Sequence, residues 1–361
     1  MTHIPLPSLL ELPSRAKTLA VLETLAIGAA GGGLFVGLHL PGGLISGAML
    51  AVGAAAMAGR PLTLPPILTQ TVLVVLGISL GSVVSRQLVQ QVSTYPLTIA
   101  LLALATFCAT FGSSIYLQRV HGWDKTSAFL AGSPGALSQI TILAVEKGAD
   151  LPGIAVVQTL RVIALTAALP LLLALSGIAP AAAPSLTTNT ASPLELAELV
   201  AAALAAALVL RLVKFPASWM FGAMLASGLM HGMGLVEGGL PSWVRNVALI
   251  GIGALIGSRF ARMRVKTLLR YVNAALGSFA IAIVISAIFV GITLVLTPVR
   301  YGDVLVAFAP GAMDAMLALA LTLHIDPIFV GAHHLSRFVF VTITTPGIVH
   351  LFGRPQEDVD D

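Results

Sequence analysis

Two arginines stand where arginine is rare. Arg161 and Arg337 lie deep in apolar runs, each nine residues before a proline, Pro170 and Pro346. An ionised side chain at membrane depth costs at least about 2.5–3.5 kcal/mol, so it faces a polar interior and a partner. Gln158 and His334 precede the arginines by three residues, one turn away on the same helical face. A guanidinium fork suits a planar carboxylate or phosphate, which it grips through two hydrogen bonds. Snorkelling to the interface, or a structural pair with Asp314, is the plainer role. Occurrence of both arginines in equivalent places favours a shared anion-binding role.

The second feature is a pair of breaks, Ser133-Pro134-Gly135 and Ala309-Pro310-Gly311. Proline removes a donor and clashes with the preceding turn, and glycine permits a reversal. Freed backbone at membrane depth is tolerated only inside protein or against a water-filled cavity. Half-helix ends aimed at such a cavity attract ions of the opposite sign. Ser133, Gly135, Ser138 and Gln139 would line one side of a solute site, and Gly311 the other. Asp314 replaces Ser138 in the second copy and is placed to bind sodium or carry a proton.

Other residues offer less. His333 and His334 are adjacent and point apart, and no third ligand accompanies them, so no metal is expected. Asp150 and Asp326 begin helices and read as N-caps. The single cysteine, Cys108, rules out an internal disulfide or a cysteine cluster.

These residues recur because the chain is duplicated. Gly47-Ala48-Met49-Leu50-Ala51 returns as Gly222-Ala223-Met224-Leu225-Ala226. Gly77-xxx-Gly81-Ser82 returns 176 residues later as Gly253-xxx-Gly257-Ser258, and Pro134-Gly135-Ala136 as Pro310-Gly311-Ala312. A composition 57% hydrophobic and only 9% charged, with mean hydropathy +0.98, excludes a soluble domain. The first copy carries apolar segments at 19–38, 42–59, 66–85, 96–117, 125–146 and 153–177. The second has them at 195–213, 217–235, 243–259, 271–297, 303–324 and 327–351.

Basic residues choose the topology, since positive loops stay inside. The cluster Arg259, Arg262, Arg264, Lys266 and Arg270 is placed inside, which leaves segments 125–146 and 303–324 beginning and ending on one side. The expected fold is an all-α polytopic membrane protein of two inverted repeats, each with five transmembrane helices and one re-entrant hairpin. Residues 1–18 form a cytoplasmic lead-in, 19–177 repeat 1, 178–194 an extracytoplasmic linker, 195–352 repeat 2 and 353–361 a cytoplasmic tail. Both termini are then cytoplasmic in the plasma (inner) membrane, with Arg86 and Arg300 the two basic residues left outside.

With the paired Gly-Ala-Met-Leu-Ala and Pro-Gly-Ala motifs, and the Gln-xx-Arg and His-xx-Arg helices, the chain resembles the AbrB-duplication membrane family. That resemblance covers about residues 20–352; members carry labels of ammonia monooxygenase or membrane regulator of gene expression. The layout also resembles that of glutamate:sodium and 2-hydroxycarboxylate symporters, an architectural likeness only. Eight histidines without a convergent set do not make a copper or iron oxygenase. One short basic loop does not make a DNA-binding surface either. The expected function is ion-coupled secondary transport of a small organic anion, with a membrane sensor that affects gene expression indirectly as the alternative. Its partners are the bilayer, the solute and a coupling proton or sodium ion, with no cofactor and no direct nucleic acid; a homodimer is compatible.

Overall fold

Inside a bilayer every backbone N–H and C=O must find a partner within the chain, so apolar runs of Ala, Leu, Ile and Val fold as helices. The computed structural model describes residues 15–40, 42–82, 95–134, 137–175, 190–215, 217–262 and 265–352. Among them are fourteen α-helices, seven from each half. The first half gives α1 (Arg15–Gly37), α2 (Gly43–Met57), α3 (Pro66–Gly81), α4 (Tyr95–His121), α5 (Lys125–Gly132), α6 (Leu137–Glu146) and α7 (Leu151–Leu175). The second gives α8 (Pro193–Leu212), α9 (Ser218–Gly232), α10 (Ser242–Gly257), α11 (Val265–Leu296), α12 (Tyr301–Phe308), α13 (Met313–Thr322) and α14 (Pro327–Phe352). The only β contact among the described residues is a bridge between Thr190 and Gly239.

Among the described residues, six helical stretches are long and apolar enough to cross a membrane: Lys17–Gly37, Tyr95–His121, Leu151–Leu173, Pro193–Leu212, Ser242–Ala261 and Val265–Leu296. Large apolar side chains point outward, with Leu212 83% and Val295 86% exposed, a surface suited to lipid rather than water. Helices α2, α3 and α9 are 15 or 16 residues long, which spans only about 23 Å at 1.5 Å per residue. Helix starts follow the local chemistry. Asp124 accepts from the Ser127 amide at 2.8 Å ahead of α5, and Ser192 with Glu195 closes a reciprocal capping box ahead of α8.

The two halves interlock. Helices α1–α3 pack with α8–α10, and α4–α7 pack with α11–α14, so each bundle takes equivalent helices from both halves. The seam between bundles is narrower, formed by α13 against α3 and α10 and by α7 against α2. There the Ser46 hydroxyl donates to the Thr166 carbonyl at 2.9 Å.

The repeated motifs are each other's contact surfaces. Gly77 and Gly81 of α3 lie against the backbone of Met220 and Met224 in α9, while Gly253 and Gly257 of α10 lie against Ile45 and Met49 in α2. In both contacts the helices run parallel. The equivalent helices α4 and α11 run antiparallel: Gly112 meets Ile281 and Ile285, whereas Ser113 donates to the Ser278 carbonyl at 3.1 Å.

Segments 125–146 and 303–324 are each split into two short helices at their Pro-Gly breaks. The Ser127 hydroxyl near the start of α5 accepts from the Asp150 amide at the start of α7, at 2.7 Å. Asp303 near the start of α12 likewise accepts from the Asp326 amide at the start of α14, at 3.0 Å. Each broken segment therefore begins and ends beside the same helix start, which is the path of a hairpin.

A side chain on Gly257 would strike the Met49 carbonyl and the Gly53 amide. Gly257→Val should destabilise the folded protein by about 1–3 kcal/mol, read as a lower melting temperature in detergent. Gly291→Ala, which meets nothing within 4 Å, serves as the control; equal melting of the two variants would show that the contact does not matter.

Candidate functional site

Helix α5 ends because Pro134 cannot continue it, and the carbonyls of its last turn have no helical partner. Two side chains of α7 take them. Gln158 Nε2 donates to the Leu130 carbonyl at 3.1 Å and the Ser133 carbonyl at 3.0 Å. Arg161 Nη1 donates to the Gly132 carbonyl at 3.3 Å, and Nη2 to the Ser133 carbonyl at 3.1 Å and to Gln158 Oε1 at 2.9 Å. The Ser133 hydroxyl turns back to the Phe129 carbonyl at 3.0 Å. A cation thus sits at the negative end of a half-helix, where the dipole favours it.

The second half repeats this with a different neighbour. Arg337 Nη1 donates to the Ala309 carbonyl at 2.7 Å and Nη2 to the Gly311 carbonyl at 3.0 Å. Arg337 Nη2 also bonds His334 Nδ1, and His334 Nε2 reaches the Val306 carbonyl at 3.1 Å. A guanidinium has no acceptor, so Nδ1 accepts and the imidazole proton sits on Nε2. Gln158 and His334 therefore do the same work: each offers one acceptor to its arginine and one donor to the hairpin.

Arg161 and Arg337 are 3% and 4% exposed and lie within electrostatic range of each other. The ion pairs among the described residues are Arg60–Glu23 and Arg300–Asp303, so neither buried arginine has a carboxylate partner there. Arg161 Nε is buried with no hydrogen-bond partner. Eleven residues separate Arg161 from Asp150, about 16 Å of helix and roughly half of a 30 Å hydrocarbon layer. Each hairpin tip is held by its own arginine, and the two arginines lie within electrostatic range of each other.

The remaining expected site residues divide. Gly311 is buried at the second tip, where a side chain would meet Met316. Gly135 lies outside the described residues, as do the side chains of Ser138 and Gln139. Asp314 stands in the first turn of α13, in electrostatic range of Arg259 from the turn Ser258–Arg262 that follows α10. Arg259 was assigned to a loop by its charge alone. Its approach to Asp314 was legible all the same: Val83 and Ser138 hold these places in the first half, and both become charged together in the second. Arg300, one of the two basic residues left outside, forms a bidentate pair with buried Asp303 at 2.7 and 3.0 Å. Arg86 lies outside the described residues. Among those described, no three His, Cys, Asp or Glu side chains converge on a metal position.

A cleft of about 280 Å³ opens at the seam, lined by Leu40, Gly43, Arg245, Asn246, Thr322 and His324 among others. The family described as transition state regulatory protein AbrB matches residues 13–353. The chain belongs to the AbrB family. It is 27% identical over 305 residues to "Uncharacterized protein YhjN" of Bacillus subtilis (strain 168), covering 78% of this chain and 79% of that one. It is 25% identical over 329 residues to "Putative regulator AbrB" of Escherichia coli (strain K12), covering 88% and 92%. No solved structure matches this AbrB-family chain, so the likeness to the symporters rests on layout alone.

Arg161→Met would leave the tip carbonyls of this AbrB-family protein without their donors. Each buried acceptor left unpaired costs about 1–3 kcal/mol, so the variant should melt well below the wild type, with Arg161→Lys between the two. A methionine variant that melts like the wild type would show that the carbonyls are satisfied in another way.

Proposed function

We propose that the protein is an ion-coupled secondary transporter of a small organic anion. The observation that carries this reading is the pair of buried guanidiniums, Arg161 and Arg337, close enough to repel and without a carboxylate partner among the described residues. Two like charges in a low-dielectric interior are costly, and a bound anion offsets that cost. Each guanidinium already spends its Nη1 and Nη2 groups on hairpin carbonyls and on Gln158 or His334, so the field of both arginines attracts the solute more than a two-pronged grip by either. Ser133, Gln158, Gly311 and His334 then shape the tips around it, and Asp314 stands in electrostatic range of Arg259. The cleft at the bundle seam, with Arg245 and His324 in its wall, favours approach of an anion from that face.

An inverted arrangement of the halves fits this reading. It is supported by the antiparallel packing of equivalent helices α4 and α11 and by the parallel packing of α3 on α9. Re-entrant hairpins in the plasma membrane, with both termini cytoplasmic, complete the proposed topology. Access would alternate as the bundle of α4–α7 and α11–α14 shifts against the other across the thin seam. A second reading, a sensor whose solute site acts on gene expression indirectly, is favoured by the regulatory names of the family and of the Escherichia coli relative.

Purified protein screened against small organic anions should show a thermal shift. A ligand at 100 times its Kd adds about 2.7 kcal/mol of stability. The same anion should be taken up by proteoliposomes. Binding without uptake would favour the sensor, and no shift with any anion would remove the anion site. A tag inserted after Arg86 should be accessible from outside and one at Arg264 from the cytoplasm; both on one side would sink the inverted topology.

A further inference from the structure

A second buried polar cluster lies away from the hairpin tips, where α14 begins. Asp326 is 1% exposed, and its Oδ1 accepts from the Ile328 amide at 2.8 Å and the Phe329 amide at 3.1 Å. Its Oδ2 is buried with no partner. Tyr95, 5% exposed, approaches from α4 of the other half, and its hydroxyl is also buried with no partner. Its ring packs edge-on against Phe329 at 5.4 Å and His333 at 5.8 Å, in electrostatic range of Asp326 and Asp303. Two buried oxygens without a partner in one cluster require an explanation, such as a bound ion or a catalytic or proton-carrying role.

The duplicated chain provides an internal comparison. In the equivalent cluster, Tyr271 takes the place of Tyr95 and Asp150 that of Asp326, and the Tyr271 hydroxyl lies within hydrogen-bonding reach of the Asp150 carboxylate. Ser127, Val157 and Ala274 occupy in that cluster the places that Asp303, His333 and Thr98 hold in this one. Only the second cluster has gained groups that exchange protons.

His333 adds a group that can hold either one or two protons. A carbonyl only accepts, so Nδ1, 2.7 Å from the Phe329 carbonyl, carries a hydrogen. Nε2 is 2.7 Å from the Thr98 hydroxyl, which can donate to the Tyr95 carbonyl at 3.1 Å. When Thr98 donates to that carbonyl, Nε2 donates to Thr98 and the imidazole holds both protons. When the hydroxyl turns to Nε2, the imidazole is neutral. The heavy atoms need not move between the two states.

We propose that Asp326, Tyr95 and His333 form a proton-binding site, and that the ion coupled to transport is a proton held there. The proton comes from water, adds to Asp326 Oδ2 and cancels its charge. The neutral carboxyl stays beside the Tyr95 ring, in electrostatic range of its hydroxyl, and loss of the proton to water restores the carboxylate. Charge favours a single monovalent guest. Arg300 neutralises Asp303 through its bidentate pair, which leaves Asp326 as the unbalanced anion. Among the described residues, the other charged or titratable groups facing the cluster are Arg337 and His334, on the same helix as His333. The coupling half of this inference rests on the transport reading; the proton site does not.

Infrared difference spectra of the full-length protein in nanodiscs, recorded without solute as pH is lowered, test the site directly. A protonated-carboxyl C=O band should appear in the wild type and in Asp150→Asn and be lost in Asp326→Asn, where asparagine still caps the helix. Tyr95→Phe, which leaves the cap untouched, should keep the band and shift its frequency, and His333→Gln should move its midpoint pH. A band that persists in Asp326→Asn, or never appears in the wild type, overturns the proposal. So does a sodium-induced thermal shift at constant pH that disappears in Asp326→Asn, because the guest would then be sodium. A band without solute uptake would keep the site and sink the transport reading; uptake without a band would do the reverse.

Discussion

Everything in the interior depends on how a helix can stop inside an apolar bundle. Its last carbonyls have neither water nor a next turn to bond, and an unpaired carbonyl in such a place is expensive. The chain meets this twice with the same device, an arginine from the following helix that donates into the broken end. The spacing follows from geometry. The hairpin's first arm and the helix after it start side by side, so the arginine must lie far enough along its helix to reach the tip. Arginine suits the task because its donors spread in a plane and its charge persists on burial.

The duplication, the helical class and the two breaks were legible because each is written in local sequence: period, proline, glycine. The arginines were legible as unusual, since charge in an apolar run has few excuses. Their hydrogen-bond partners were not. Arginine donates equally well to a bound anion and to a backbone carbonyl, and sequence does not say which carbonyl a fold has left bare. The pairing of glycine motifs escaped for a related reason. Gly77-xxx-Gly81 and Gly222-Ala223-Met224 are 145 residues apart in the chain, and nothing local says that one packs on the other.

Differences between the copies were informative in the same degree as the similarities. Where both halves agree, at Arg161 and Arg337 or at Asp150 and Asp326, the residue supports the hairpin or starts a helix. Where the second half gains charge, at Arg259, Asp303, Asp314 and His333, the gains come in neighbouring sets. A duplicated scaffold allows one copy to keep the architecture while the other acquires polar groups.

The exchange of helices between halves has a consequence for synthesis. Neither half is a folding unit, because α1–α3 and α4–α7 each find their main partners in chain made later. At about 5–20 residues per second, α3 waits roughly ten to thirty seconds for α9 to be made. Until then, the bare glycine faces of α2 and α3 remain open to any helix that passes. Fidelity of insertion thus becomes a contest between the nascent second half and neighbouring chains, which the covalent link between the halves biases toward the chain's own second half.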